Sequence, residues 1–431
     1  MRLCLKTFLL LMLISLILAG CSNDDAENEM GSEEESAQPG NQVTLTHFST
    51  ASNEAEQEAM QQVVRDFEAE YPDIHINLNM PGQDYESQLR IRMAANDLPD
   101  LFDTHGWAQN RYGEYTMDLR DMDWVDDMDP TLEQNFVDED GKVYAYPLNQ
   151  AMDGLTYNKE ILDAYDIEVP ETFDELMEAL ETVKEKSNGE IAPLWFEGSN
   201  ENAFGQYYDQ FASPLLITDP DHDYSKELLD GTFDWEPYDY LSEKLLEMHE
   251  KELLNIDVLT ARPYEKNQLL AQGKIAFVMQ TVPIHVIQEL NPDIELGIMP
   301  VPAIHEGDDP TWIGGERHTV AIWEDTAHPE EAKKFIEFLA RPENVKAVAE
   351  GTSLAAGLTN ATADIYYQDY YEQYDDIEVE PYFDRMYLPN GMWKPMGMSG
   401  QELLSGALSP EGVSQKMKNE YLRLIEQAGF E

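Results

Sequence analysis

The chain has 431 residues, with 86 acidic side chains against 27 basic ones and a net charge of −59. A charge of that size and sign repels nucleic acid and anionic membrane surfaces, so neither is an expected partner. Hydrophobic content of 42% is that of a folded globular protein, and the acids are spread along the chain as a solvated surface.

At the N-terminus, Arg2 and Lys6 precede an apolar run from Phe8 to Ala19, interrupted only by Ser15. The run suits a secretory signal and is short for a membrane-spanning helix. Leu18-Ala19-Gly20-Cys21 then resembles a bacterial lipobox, which implies lipidation of Cys21 and a mature protein held at the extracytoplasmic face of the cell membrane. Removal of residues 1–20 takes two positive charges with it and leaves −61. Residues 21–42 are acidic and lack basic and aromatic side chains, a composition that cannot bury enough apolar surface to fold. A tether of this length spans roughly 25 Å. Cys4 lies in the signal and Cys21 at the anchor, so no disulfide and no cysteine chemistry is expected in the body.

The body, Val43 to Glu431, is longer than one core usually serves, so two lobes are expected. Val43–Phe48 reads as a strand. Asn53 and Glu56 open a helix whose apolar face is Ala55, Ala59, Met60, Val63, Val64 and Phe67. Ile74, Ile76, Leu78 and Met80 alternate as a second strand, and Leu101–Asp103 suggests a third. This progression predicts an α/β fold with mostly parallel sheets covered by helices. Val143–Pro147 and Leu155–Tyr157 read as short strands. Thr172 with Glu175 forms a capping box ahead of Phe173, Leu176, Met177, Leu180 and Val183, and Gly189 ends that helix. Further strands are expected at Ile191–Phe196, Ile275–Met279, Ile294–Met299 and Thr319–Trp323. Helices are expected at Tyr264–Gln272 and Pro329–Leu339, and mostly beyond Ala361.

Several phrases, in order, resemble the extracellular solute-binding proteins of ABC importers, in the branch that includes maltose-binding protein. They are Pro99-Asp100-Leu101-Phe102, Gly141–Pro147 with Leu155–Lys159, Gln272–Phe277, Gly314-Gly315 with Thr319–Ile322, and Glu331–Leu339. Together they span about residues 43–360. The resemblance implies a two-lobe periplasmic-binding-protein type II fold, with a hinge and an interlobe cleft. Lobe one is expected at 43–150 plus 316–352, and lobe two at 151–315 plus 353–431. It implies capture of a carbohydrate and delivery to permease subunits by a monomer that needs no cofactor and is not an enzyme; the charge near −61 points to a neutral oligosaccharide, since an acidic sugar would need a local basic pocket.

Candidate ligand contacts follow. Trp107 lies beyond the third strand, where open α/β sheets gather ligands, and an indole face can stack on a sugar ring. Asn110 and Arg111 come just after it. Asp153 lies between the first crossover strands, and its carboxylate can accept two sugar hydroxyls. Trp312, Glu316 and Arg317 flank Gly314-Gly315 at the return crossover, Trp195 ends a strand, and Trp393 lies in a late loop. The histidines form no HxxxH or HxH pair, so a zinc site is not expected. There is no GxSxG, Walker or GxGxxG motif. Two other readings stay open: a receptor for polyamines or cationic peptides, motivated by the acidity, and an extracytoplasmic glycoside hydrolase, motivated by carboxylates and aromatics.

Overall fold

The computed structural model describes residues 42–51, 54–104, 108–109, 111–374 and 376–428. The lipobox-like stretch ending at Cys21, and the positions of Trp107 and Asn110, lie outside them. In chain order the strands are β1 (Val43–Phe48), β2 (Ile74–Asn79), β3 (Leu101–Phe102), β4 (Tyr146–Asp153), β5 (Leu155–Asn158) and β6 (Ala192–Trp195). They continue with β7 (Ile275–Val278), β8 (Leu296–Met299), β9 (Trp312–Ile322), β10 (Ala355–Ala356) and β11 (Val379–Pro381). One sheet runs β10-β4-β9-β3-β1-β2, with β11 beside β9, and the other runs β6-β7-β5-β8.

Pairing is mixed, which corrects the expectation of mostly parallel sheets. Strand β1 is parallel to β2 and β3, and β6 to β7, through helical crossovers. Strand β9 runs antiparallel to β3 and β4, and β5 runs antiparallel to both its neighbours. The reason is topological: β4 carries the chain out of the first sheet and β9 brings it back, so the two travel in opposite directions.

Several helices form where the apolar spacing places them, while Asn53, the expected cap of the first, lies outside the described residues. Helix Glu54–Glu70 buries Met60, Val63, Val64 and Phe67 on one side. Helix Pro329–Leu339 begins with proline, whose missing N–H costs nothing at that position, and carries Glu330 and Glu331 in its first turn, where the helix dipole favours them. Its Phe335 and Phe338 meet Phe67 edge-on at 5.0 and 5.4 Å. Each fully buried ring contributes about 2–3 kcal/mol of apolar transfer. The Thr172–Glu175 capping box forms on both sides, and the helix ends at Asn188 in the left-handed conformation.

Buried side chains form two principal cores. The first holds Leu45 to Leu148 and Val320 to Leu358; the second holds Ala151 to Val301, Ile313, and Tyr382 to Tyr421. The chain keeps to the first core beyond the expected limit at 352: Leu358 packs there, and Ala355 and Ala356 pair with Gln150 and Asn149 of β4. Both β4 and β9 pass from one core to the other. Among the described residues, no helix is long and apolar enough to cross a membrane.

Candidate functional site between the two cores

The site is built on the β4–β9 pair, which holds from Tyr146 opposite Val320 to Asp153 opposite Ile313, with its register broken around Asn149. The strands approach closely at Gly314: a Cβ there would lie 2.0 Å from the Ala151 carbonyl oxygen. Gly315 has φ of +124°, and a Cβ on it would meet Asn135. Both glycines are therefore required by the crossing of the two strands.

Successive strand residues face opposite sides. Arg317 faces a cavity of about 270 Å³, lined also by Glu56, Asp153, Gln206, Thr281 and Tyr367. Glu316 faces a smaller one, about 90 Å³, lined also by Gln109, Asn135, Tyr382 and Arg385. Asp153 accepts hydrogen bonds from Thr281 Oγ1 at 2.8 Å and Tyr382 Oη at 2.7 Å. Burial works against the charge on Arg317, yet Tyr382, Asp153, Glu56 and Asp103 hold its guanidinium above the usual range. Among the described residues, Gln206 Nε2 and His285 Nδ1, of residues that line the larger cavity, have no hydrogen-bond partner. A concave space with a cation, a carboxylate and unused polar groups suits hydroxyl-rich ligands.

Beneath Arg317 lies a buried ionic group. Nδ1 of His318 is 2.9 Å from Thr50 Oγ1 and 3.5 Å from Asp103, and its Nε2 is 3.4 Å from Glu56. Burial disfavours the imidazolium, but hydrogen bonds and charge from Asp103 and Glu56 outweigh it, so the pKa is raised. Thr319 Oγ1 donates to Asp103 at 2.9 Å and holds that carboxylate from the other side.

The residues expected from sequence are distributed unevenly. Asp153 and Arg317 come together in the larger cavity. Glu316 is 2% exposed on the opposite face, accepting from Asn135 Nδ2 at 2.7 Å with Arg385 Nη1 3.9 Å away. Burial pushes its carboxyl up, against the pull of Arg385. Arg111 is engaged by Glu86 and donates to Asn390 Oδ1 at 2.6 Å, tying a first-core loop to the C-terminal segment. Trp312 is wholly buried, edge-on to Tyr371 and Tyr374, and Trp195 packs among Leu270, Ile275 and Val278. Both tryptophans belong to cores and not to an open face. Trp393 is half-buried; a Cβ on Gly205 would touch its ring at 3.0 Å, next to cavity-lining Gln206, and its Nε1 donates to Asn202 Oδ1 at 3.2 Å. Sequence reasoning missed Glu56, Gln206, Thr281 and His285. Thr281 and His285 follow β7, so the rule that singled out the loop beyond β3 also applies to them.

This arrangement is that of a ligand-capturing protein whose site lies between two α/β cores. A family model described as bacterial extracellular solute-binding protein matches residues 51–346, and the chain belongs to that family. It is 54% identical over 424 residues to the melibiose/raffinose/stachyose-binding protein MelE of Bacillus subtilis (strain 168), covering 98% of this chain and 97% of that one. It is 24% identical over 361 residues to a multiple sugar-binding protein of Streptococcus mutans, covering 76% of each. Among solved structures, a sugar transporter from Bacillus licheniformis in complex with stachyose is 56% identical, with a TM-score of 0.81 over 89% of this chain and 100% of that one. A Bacillus subtilis binding protein in an open conformation is 54% identical, with a TM-score of 0.87 over 90% and 99%.

Proposed function

We propose that this protein captures a neutral oligosaccharide of the melibiose, raffinose and stachyose kind and delivers it to the permease of an ABC importer. The observation that carries the reading is the full-length 54% identity to a protein named for binding those sugars. The polar cavity between the two cores fits it. The cores correspond to two lobes, β4 and β9 to the hinge, and closure follows to the extent that the sugar binds the closed form better. Asp153 and Arg317 hold hydroxyls, with Trp393 and Trp107 as stacking partners. None of these roles requires a reaction, so the sugar is expected to be recovered intact. The proposed anchor is lipid on Cys21 at the extracytoplasmic face of the membrane.

Calorimetry with stachyose, raffinose and melibiose tests the reading. Saturable binding of at least one, with the sugar unchanged afterwards, is expected. Binding of spermidine with no response to any of the three sugars would replace this reading with the polyamine one. Mass spectrometry of protein from its native host tests the anchor, and an unmodified thiol on Cys21 would remove it.

A further inference from the structure

Away from the sugar cavity, two loops of the second core bring together a carboxylate and two imidazoles. Asp219 and His222 lie just beyond helix Asn202–Leu216, and His305 lies between β8 and β9. One ligand-capable atom from each lies within 4.8 Å of the others. We propose that Asp219, His222 and His305 bind a divalent transition-metal cation of the zinc class.

Three features support a built site. Nε2 of His305 is 2.9 Å from the Leu215 carbonyl oxygen, and a carbonyl can only accept, so that nitrogen carries the hydrogen and Nδ1 keeps its lone pair. A ligating histidine is ordinarily oriented in this way, through its other ring nitrogen. Asp219 Oδ1 is fixed by the Asp221 N–H at 2.7 Å, which leaves Oδ2 toward His222 Nδ1 at 3.2 Å. The loops are joined independently by Thr218 Oγ1 donating to Asp308 Oδ2 at 2.6 Å, so the three groups meet on a held framework.

The imidazoles of His222 and His305 are stacked, with centroids 3.8 Å apart and planes 1° from parallel. Parallel rings cannot aim both lone pairs at one point, so binding requires one ring to turn. His305 is fixed by Leu215, whereas the His222 side chain is 43% exposed, so it is the ring that turns, exchanging its Nδ1 contact with Asp219 and its stacking for the metal. Imidazole and carboxylate donors select zinc-like cations over calcium or magnesium, which prefer oxygen alone. The lone cysteine left after signal removal is at the anchor, so a metal clip would supply a cross-link that no disulfide provides.

The test uses tag-free full chain, stripped with EDTA and titrated with zinc chloride by calorimetry and thermal shift. One equivalent should bind and raise the melting temperature, while magnesium and calcium leave it unchanged. His305→Ala and Asp219→Asn should each weaken zinc binding more than about tenfold. Circular dichroism establishes that each variant is folded, and Asp219→Asn, which keeps size and shape, serves if an alanine variant is not. Control variants His75→Ala and His249→Ala should bind zinc as the wild type does. Absence of zinc binding by the wild type overturns the proposal, and so does binding that persists in the His222→Ala/His305→Ala double variant. Stachyose affinity, measured in parallel, reads the proposed sugar binding separately.

Discussion

Glu316 and Arg317 are neighbours on β9, carry opposite charges, and face opposite sides of the same strand pair. Arg317 opens on the larger cavity with Asp153, whereas Glu316 is enclosed with Asn135 and Arg385. Both are polar and largely buried, yet their surroundings differ. The carboxylate has its protein donors already, and the guanidinium is surrounded by charge while facing open space. A polar group whose partners are complete serves the fold; one that faces a cavity can serve a ligand.

The largest effect should therefore come from Arg317→Ala. Stachyose affinity should fall by about 2–3 kcal/mol, the range of a central contact; the free protein should also lose stability, because Asp153, Glu56 and Asp103 lose a neighbouring cation, so affinity of the still-folded variant is the deciding measurement. Calorimetry beside a thermal melt measures both, and wild-type affinity in this variant would make Arg317 structural. Asp153→Asn is expected to cost less, about 1–2 kcal/mol of affinity, because the amide oxygen still accepts from Tyr382 or Thr281 but loses its charge. A drop in stability without a drop in affinity would move Asp153 to the structural side of the comparison.

The same contrast recurs on helix Asn202–Leu216, where Gln206 lines the cavity and Asp209 is enclosed nearly one turn later. Asp209 accepts the Asp384 N–H at 2.7 Å. Burial, then the Asp384 charge, raises its pKa to about 7, and burial raises that of Asp384 to about 6. Folded protein thus holds protons that the unfolded chain, with ordinary aspartates, has released. Stability from this pair is present at acidic pH and is lost as the pH rises from about 4 through 7. Asp209→Asn should flatten that slope and stabilise the protein at pH 8 by on the order of 2 kcal/mol, with the difference vanishing near pH 4. Urea unfolding across this range would show it, and parallel curves for the two proteins would contradict it.

Local features were legible in the sequence because they depend on local physics. The Thr172 capping box, the span of β1 and helix Pro329–Leu339 require only spacing, caps and proline placement. The crossover strands were less legible. Val143–Pro147 reads as a strand, but β4 begins at Tyr146 and continues to Asp153, because its partner β9 sets its length. Trp312 reads as a ligand contact beside two glycines, yet Tyr371 and Tyr374 arrive from a distant segment and enclose it. Nothing near Trp312 in sequence announces them. Asp153 and Arg317 are legible as crossover polar residues, but the separation of Arg317 from Glu316 depends on the strand's phase, and the pattern Thr319–Trp323 marks only the end of a strand that begins at Trp312. His222 and His305 lie too far apart for any spacing rule to pair them.

The smallest effect expected is that of Glu316→Gln, and it is the sharpest test of the contrast. Glutamine keeps the volume and retains an oxygen to accept from Asn135, so no cavity or unpaired donor is created. The carboxyl is enclosed and its pKa is raised chiefly by burial, so removal of the charge relieves a desolvation cost while weakening the attraction to Arg385. These two terms oppose each other, and stability should stay within about 1 kcal/mol of wild type. Sugar affinity should change by less than about twofold, since Glu316 does not face the cavity that holds Asp153 and Arg317. If calorimetry instead finds a loss comparable to that of Arg317→Ala, the ligand reaches both faces of β9 and the two cavities are parts of one site.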